Sequence, residues 1–362
     1  ATSHTPLSDP HHNTPTPPPT HHITPPLLTT TITNGYAHLP LPTLHQTDVR
    51  LISHNINTLH TSTQAELGAT FDLYQNFDPT ILGIQECNKN WSIYDRTVAP
   101  LRDVIQRRWP GAKLATAHCH DAAFSGPHQP GGVAQITLTK LTGRVTAHGK
   151  DPLGRYAWQN ILLNGERTLL VITAYRIPQD SVTGCGSETS AMQQWRKLRS
   201  QGIEIPKPRQ QTLDDIVAFA TPYESQGNEV IVMMDANSPT TDPAMEAFME
   251  ALHLHDLMAD YLPDTPPNTY QRGRHKIDHI FGTISVLTAM TGAGIIPFGQ
   301  GPKSDHASIY ADFSLATLCG LPSQSLHDPT HPSSRNLWST DIKAAEAYMK
   351  LVCNGFDSDN IS

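Results

Sequence analysis

Acidic, amide and histidine side chains follow several short apolar runs of this 362-residue chain. Glu86 comes directly after the run 81–85, and Asp235 and Asn237 come after the run 229–234. Apolar runs of about five to seven residues are typical of strands that are buried on both faces. Because strand ends in an α/β sheet meet at the edge where ligands bind, we expect the polar groups to lie together there. The residues with this placement are Asn55, Glu86, Tyr175, Asp235, Asn237, Asp278, Asp305 and His306.

These residue types suit one kind of chemistry. Carboxylate and amide oxygens are ligands for Mg²⁺ or Mn²⁺ rather than for a metal that prefers thiolates. A histidine paired with an aspartate has a fixed tautomer and a stabilised imidazolium. An asparagine amide donates neutral hydrogen bonds to an oxyanion. Each residue alone has an ordinary structural explanation, but the set is suited to metal-assisted hydrolysis of a phosphoester.

The elements that must position these residues alternate along the chain from residue 49. The apolar runs predict strands at 49–53, 81–85, 132–138, 168–174 and 229–234. Apolar spacing and end signals predict helices at 63–76, 99–108, 189–200, 210–220 and 243–252. Thr63 and Glu66 form a capping-box pattern at the start of the first helix. Uneven alternation of this kind predicts a layered α/β domain with long loops, of which the polar connection 176–208 is the longest.

The two ends of the chain differ in composition from the domain at 47–316. Residues 1–46 are rich in Pro, Thr and His and are predicted to be disordered, because they offer too little apolar surface to offset ordering entropy. Residues 317–362 read as a Pro/Ser-rich linker followed by an amphipathic helix at 339–352. Five widely spaced cysteines predict a reducing, intracellular compartment. No apolar run approaches the roughly 20 residues of a membrane span, so we expect no membrane partner.

The net charge of −8 excludes a globally basic nucleic-acid binder but allows a local basic groove. Basic stretches occur at 196–199, 207–209 and 272–276. The last one ends two residues before Asp278. Cations there would meet a polyanionic substrate and bind its backbone, so Arg272, Arg274 and Lys276 are the predicted substrate-binding residues.

Some polar residues are assigned to structure instead. The histidine pairs 118/120 and 253/255 have a spacing that could suit a metal on a strand, but nothing near them in the sequence completes a site. We expect surface or packing roles for all four. Asp256 follows a helical run and is predicted to cap a turn.

The ordered motifs resemble the endonuclease/exonuclease/phosphatase superfamily, which has the DNase-I-like fold. The resemblance covers about residues 49 to 316, and six elements in the family's order carry it. It implies a four-layered α/β sandwich of two packed mixed β-sheets flanked by helices. The motifs are Asn55-Ile56-Asn57, Gln85-Glu86, Ala174-Tyr175, Asp235-Ala236-Asn237, Ile277-Asp278-His279 and Ser304-Asp305-His306.

The resemblance implies a metal site around Glu86. In that interpretation Glu86 binds the catalytic Mg²⁺, which Mn²⁺ can replace. Asn55 helps to place the metal or the phosphate, and Asp305 lies beside the metal. Asn57 stands where the family often has Asp, which reduces the negative charge available to a second metal ion.

The resemblance also implies roles for the remaining residues. Asp235 orients or activates the attacking water, and Asn237 holds a phosphate oxygen. His306 contacts the scissile phosphate as the acid/base or transition-state stabiliser. Asp278 orients His306, and Tyr175 donates a hydrogen bond on the phosphate side.

Within the superfamily, the chain looks most like endonuclease domains of non-LTR retrotransposon polyproteins. The run 129–134, the long connection 176–208 and the C-terminal linker and helix carry this likeness. It implies nicking of DNA in the nucleus to supply a 3′-hydroxyl primer, with a reverse transcriptase that is fused or lost. One alternative is a phosphatase or phosphodiesterase that acts on a small or lipid phosphoester. The other is a decayed, non-enzymatic element product or an interaction module.

Overall fold

The computed structural model describes residues 41–320 except 46, 60–62, 98–100, 121–123 and 263–266. Residues 1–40 and the predicted helix at 339–352 lie outside the described residues, so the predictions for them stay predictions. The described residues 41–45, which the sequence assigns to the disordered segment, contact the domain. Leu41 packs against the core, and the Pro42 carbonyl accepts a hydrogen bond of 2.8 Å from Arg50.

The strands of the described part form two six-stranded sheets, in the orders β11-β12-β1-β2-β4-β3 and β5-β6-β7-β8-β10-β9. Each sheet is mixed, because β1 and β2 pair in parallel, as do β7 and β8, while the other pairs are antiparallel. The strands are β1 Asp48–Asn55, β2 Ile81–Gln85, β3 Lys113–Ala117, β4 Val133–Thr137, β5 Val145–Lys150, β6 Tyr156–Leu162, β7 Thr168–Tyr175, β8 Glu229–Asp235, β9 His255–Asp256, β10 Asp278–Gly282, β11 Met290–Ile296 and β12 Ser308–Ser314.

Helices cover the outer faces of the two sheets. The predicted capping box of α1 is confirmed, with Thr63 and Glu66 bonded to each other's backbone. The long polar connection after β7 contains α4, which confirms the helix predicted at 189–200. The helices are α1 Gln64–Gln75, α2 Trp91–Thr97, α3 Leu101–Arg108, a 3₁₀ helix Thr139–Arg144, α4 Ser190–Ser200, α5 Pro208–Glu224, α6 Pro243–Ala251, α7 Leu257–Tyr261, α8 Ile284–Thr288 and α9 Leu315–Leu318. None of the described helices is long and apolar enough to span a bilayer.

The core has three layers because the central strands are buried on both faces. Neighbouring residues of a strand point to opposite faces. Leu51 therefore packs between the sheets, whereas Ile52 packs under α1 and α3. In the second sheet Val171 packs between the sheets, and Ile172 packs under α5 and α6. The result is the predicted four-layered sandwich, with helix, sheet, sheet and helix in that order.

Candidate active site

The predicted residues stand where the strands of both sheets end. Asn55 is the last residue of β1, and Glu86 comes one residue after β2. In the other sheet Tyr175 and Asp235 are the last residues of β7 and β8 and pair in register. Asp278 begins the antiparallel strand β10 and pairs directly with Asp235. The two sheets thus bring one row of polar side chains each to a shared edge.

Three site residues adopt left-handed backbone conformations immediately after the strands. Asn57, Glu86 and Asn237 have φ values of +43°, +51° and +50°. Such a conformation costs a residue with a side chain about 1–2 kcal/mol, so the neighbouring bonds must stabilise it. The backbone N–H of Asn57 donates to the Asn55 side chain, and that of Asn237 donates to Asp235. The side chains therefore turn sharply out of the sheet edge.

Asn55 connects the two sheets within the site. Its amide nitrogen donates to Glu86 Oε2 at 3.0 Å and to Asp235 Oδ2 at 2.7 Å. Its amide oxygen accepts from the Asn57 backbone at 2.8 Å. Asn55 thus lies beside Glu86 as predicted, but it presents N–H groups rather than its oxygen to the two carboxylates.

His306 and Asp278 form a close pair next to Asp235. His306 Nδ1 lies 2.9 Å from Asp278 Oδ2, and ligand atoms of all three residues lie within 4.8 Å of one another. Burial disfavours the imidazolium, but the Asp278 carboxylate outweighs it and raises the pKa of His306 to about 9. Burial, and then the neighbouring Asp278 charge, raises the pKa of Asp235. The His306 imidazolium is therefore a charged hydrogen-bond donor that faces the Asp278 carboxylate.

His54, for which the sequence predicts no role, contacts the backbone of His306. His54 is buried, its Nδ1 lies 2.7 Å from the Tyr74 hydroxyl, and it also bonds the backbone of His306. Burial lowers the pKa of His54 to about 4, so the ring is neutral. On the other side, the Tyr270 ring lies 5.0 Å from the His306 ring. The one sequence feature that points to His54 is its position directly before the motif Asn55-Ile56-Asn57.

Tyr175 contacts Glu86 directly. Its buried hydroxyl interacts with the Glu86 carboxylate. Burial, followed by the charges of Glu86 and Asp235, raises the pKa of Tyr175 far above its ordinary value. The phenol therefore stays protonated and remains a hydrogen-bond donor.

Two arginines hold the turn that carries Asn237. The amide nitrogen of Asn237 donates to the Arg176 carbonyl at 2.8 Å and to Asp235 at 3.2 Å, so both of its hydrogens have acceptors. Arg209 donates to the Asn237 carbonyl at 3.1 Å, and Arg176 donates to the Ala236 carbonyl at 3.2 Å. Arg209 belongs to the basic stretch 207–209, but its guanidinium supports the site rather than standing free for DNA.

The acidic side chains fit a hard divalent cation. Glu86, Asp235 and Asp305 share one end of the molecule, and none of them pairs with a lysine or arginine of the described ranges. Burial raises the pKa of Glu86, and Asp305 adds to this, as expected where negative charge is not compensated. Ligand atoms of Asp235, Asp278 and His306 also lie close together. Two of these atoms, His306 Nδ1 and Asp278 Oδ2, are already hydrogen-bonded to each other. The polar side chains at this edge therefore suit a divalent cation, while the metal-binding roles of Glu86 and Asp305 stay predictions.

The predicted basic substrate site is partly wrong. Arg272 and Arg274 are exposed, and their contact with a substrate stays a prediction. Lys276 is only 7% exposed, pairs with the Asp256 carboxylate, and lies 2.9 Å from His279 Nδ1. A side chain that neutralises a buried carboxylate cannot also reach a substrate backbone, so Lys276 is a core residue.

The other polar residues have structural contacts. Asp256 accepts a hydrogen bond from the Ala259 backbone at 3.3 Å and caps α7, which confirms the predicted cap. His253 and His255 lie 3.0 Å from Glu224 and Asp260, respectively. His118 is buried beside Ser92, and burial lowers its pKa to about 4.

Comparisons with known proteins give a fold. No protein-family profile matches the chain, and no curated protein matches its sequence. The catalytic domain of Xenopus laevis APE2 aligns at 17% identity and a TM-score of 0.50, over 74% of this chain and 92% of that one. The AP endonuclease LMAP of Leishmania major aligns at 11% identity and a TM-score of 0.51, over 74% and 88%.

The 3′–5′ exonuclease NExo of Neisseria meningitidis aligns over 74% of this chain and 100% of its own length, at 15% identity and a TM-score of 0.50. The chain therefore has the DNase-I-like fold.

Proposed function

We propose that this protein is a metal-dependent phosphodiesterase that cleaves DNA. The observation that carries the proposal is the pair of His306 and Asp278 facing Asp235, with the Glu86 carboxylate at the same edge. Phosphodiester hydrolysis needs a positioned water, stabilisation of charge on the phosphoryl oxygens, and a proton for the leaving oxygen. Each of these tasks has a suitable side chain here.

The geometry supports a division of labour among the residues. Asp235 accepts hydrogen bonds from Asn55 and from the Asn237 backbone, which aim its carboxylate at the space where a water would attack phosphorus. Nδ1 of His306 is hydrogen-bonded to Asp278, so Nε2 is the ring nitrogen that can donate to a phosphate oxygen. When the P–O bond to the leaving group breaks, His306 supplies a proton or a hydrogen bond to the departing oxygen.

A bound metal would sit on Glu86 and Asp305, where it would offset the negative charge of the phosphate. Mg²⁺ or Mn²⁺ suits these oxygen ligands. Asn55 holds the Glu86 carboxylate in place by donating to it, and the Tyr175 hydroxyl interacts with the same carboxylate. Asn57 does the same for Asp305, at 2.8 Å.

Three observations support DNA as the substrate. Arg272 and Arg274 are exposed on the loop that leads to Asp278. Helix α4 carries Lys197 and Arg199 in its last turn. Two of the structural neighbours are an AP endonuclease and a 3′–5′ exonuclease. A retrotransposon-type role in the nucleus, with a fused or lost reverse transcriptase, is a narrower proposal that rests only on the sequence likeness of the run 129–134, the long connection 176–208, and the C-terminal linker and helix.

Nicking of supercoiled plasmid tests the proposal. Wild type should convert the plasmid to the open circle with Mg²⁺ or Mn²⁺ and lose this activity in excess EDTA. His306→Ala should lose it as well, whereas the control His253→Ala changes an exposed histidine away from the site and should retain it. Full activity in EDTA, or a strong preference for a small chromogenic phosphodiester over DNA, would contradict the assignment.

A further inference from the structure

A cavity of about 610 Å³ opens beside Glu86 and Tyr175. One wall is Pro130, and the opposite wall is the chain after β7, where Ile177 and Pro178 line the space. The first turn of α4 closes it with Ala191. The volume lies in the range of about 300–1,000 Å³ that is usual for small-molecule sites, which is the scale of one nucleoside.

The charge of the lining identifies the kind of group that fits. Among the described residues that line the cavity, Glu86 and Glu188 are acidic, and none is a lysine or arginine. A nucleic-acid backbone is bound through cations, so apart from the scissile phosphate, which a metal on Glu86 would hold, the backbone does not run through this cavity. The apolar walls suit an uncharged ring instead. Gln179 and Ser190 add polar groups that can bond the edge of a base.

The shape of the cavity is held by bonds between its walls. The Gln193 amide donates to the Pro130 carbonyl at 3.1 Å and accepts from Gln129 at 2.7 Å, which ties α4 to the run 129–131. At the other wall Gln179 donates to Cys185 Sγ at 3.3 Å. Both walls are therefore built before a ligand arrives.

We infer that this cavity binds the base and sugar of one unpaired nucleotide next to the scissile phosphate. The inference rests on the proposed function and narrows its substrate class. A base that is paired and stacked must leave the duplex before it can enter, at a cost of a few kcal/mol that is smallest for a base already unpaired. Preferred substrates are then DNA with a bulged or frayed nucleotide at the cleavage point, rather than continuous duplex.

Gly186 allows the cavity to be filled without strain. It lines the cavity, its φ is not positive, and a Cβ there would meet only Thr189 Cγ2, at 3.8 Å. The variant Gly186→Phe places a ring in the space that the base would occupy. Gly143→Phe is the matched control, because a Cβ at that residue of the 3₁₀ helix meets nothing within 4 Å, and Gly143 does not line the cavity.

The assay compares kcat/KM on two oligonucleotide duplexes that differ only in one bulged nucleotide. Wild type should prefer the bulged duplex by about 10-fold or more, the equivalent of about 1.4 kcal/mol. Gly186→Phe should lose this preference while it still cleaves continuous duplex, and Gly143→Phe should keep it. Equal cleavage of both duplexes by wild type overturns the inference whatever the variants do, as does a preference that survives Gly186→Phe. If neither duplex is cleaved with Mg²⁺ or Mn²⁺, the proposed function is refuted, and the inference is refuted with it.

Discussion

Replacing Lys276 by alanine separates a core role from a substrate-binding role. The ammonium group pairs with the buried Asp256 carboxylate and lies 2.9 Å from His279 Nδ1. Lys276→Ala leaves Asp256 buried without its main cation. Removal of one partner of a buried ion pair costs about 3–5 kcal/mol, because the remaining charge cannot regain its hydration.

This loss of stability is large enough to measure as a decrease in the melting temperature, Tm. One kcal/mol shifts the Tm of a domain of 150–250 residues by about 2–4 °C, so we expect a decrease of about 6–20 °C. Arg274→Ala is the control, because Arg274 is exposed and lies two residues earlier on the same loop. A surface change of that kind stays within about 0.5 kcal/mol.

A double variant shows whether the buried charge causes the loss. Lys276→Met combined with Asp256→Asn removes both charges, and we expect it to regain much of the stability that Lys276→Ala loses. Asparagine also remains a good cap for α7. Recovery of the Tm in this variant assigns the cost to the unpaired carboxylate rather than to lost side-chain volume.

DNA binding supplies the second measurement. Arg272→Ala together with Arg274→Ala should weaken the binding of a duplex in an anisotropy titration, reduce its salt dependence and leave the Tm unchanged. The reasoning is refuted if Lys276→Ala melts like wild type and instead binds DNA poorly. That result would restore Lys276 to the substrate surface.

Three other changes test the site and the core. Burial opposes ionisation of Asp256, but its partner Lys276 outweighs burial and lowers the pKa of the carboxyl group. The ion pair therefore contributes fully to the stability of the fold above about pH 4, and contributes less as the pH falls. The Tm difference between wild type and Asp256→Asn should accordingly become smaller in melts below that pH. His306→Ala and Asp278→Ala should each reduce turnover by about 10²-fold or more, and the double variant should be little worse than the worse single one, whereas additive losses in log rate would mean that the residues act separately. Glu86→Gln should lose most activity in the plasmid assay and regain part of it with excess Mg²⁺, while no such rescue is expected for His306→Ala.

Local patterns were enough to predict much of the site. Apolar runs mark strands that are buried on both faces, and the end of such a strand is visible where polar residues begin. Asn55, Glu86, Tyr175 and Asp235 could therefore be expected at one edge, since parallel strand pairs such as β1–β2 and β7–β8 end on the same side. The helices at 63–76, 99–108, 189–200, 210–220 and 243–252 were predicted in the same way, to within a few residues of the observed ends.

Strands without a continuous apolar run were missed. β5 is mostly exposed at the edge of its sheet, and β3 is only partly buried, so neither shows the signature of a central strand. Their positions are decided by hydrogen bonding to β6 and β4, which are the next strands along the chain. Pairing of that kind depends on backbone partners rather than on local composition.

Only the tertiary structure decided which polar residues meet. The basic stretch 272–276 looks uniform along the chain, but Lys276 turns inward because Asp256 arrives from a separate element 20 positions away. His54 gains its role only when β1 is brought against the loop that carries His306. A sequence pattern records whether a position is apolar or polar, whereas the distance between two side chains depends on strand register and loop path. Those are set by contacts between residues far apart in the chain.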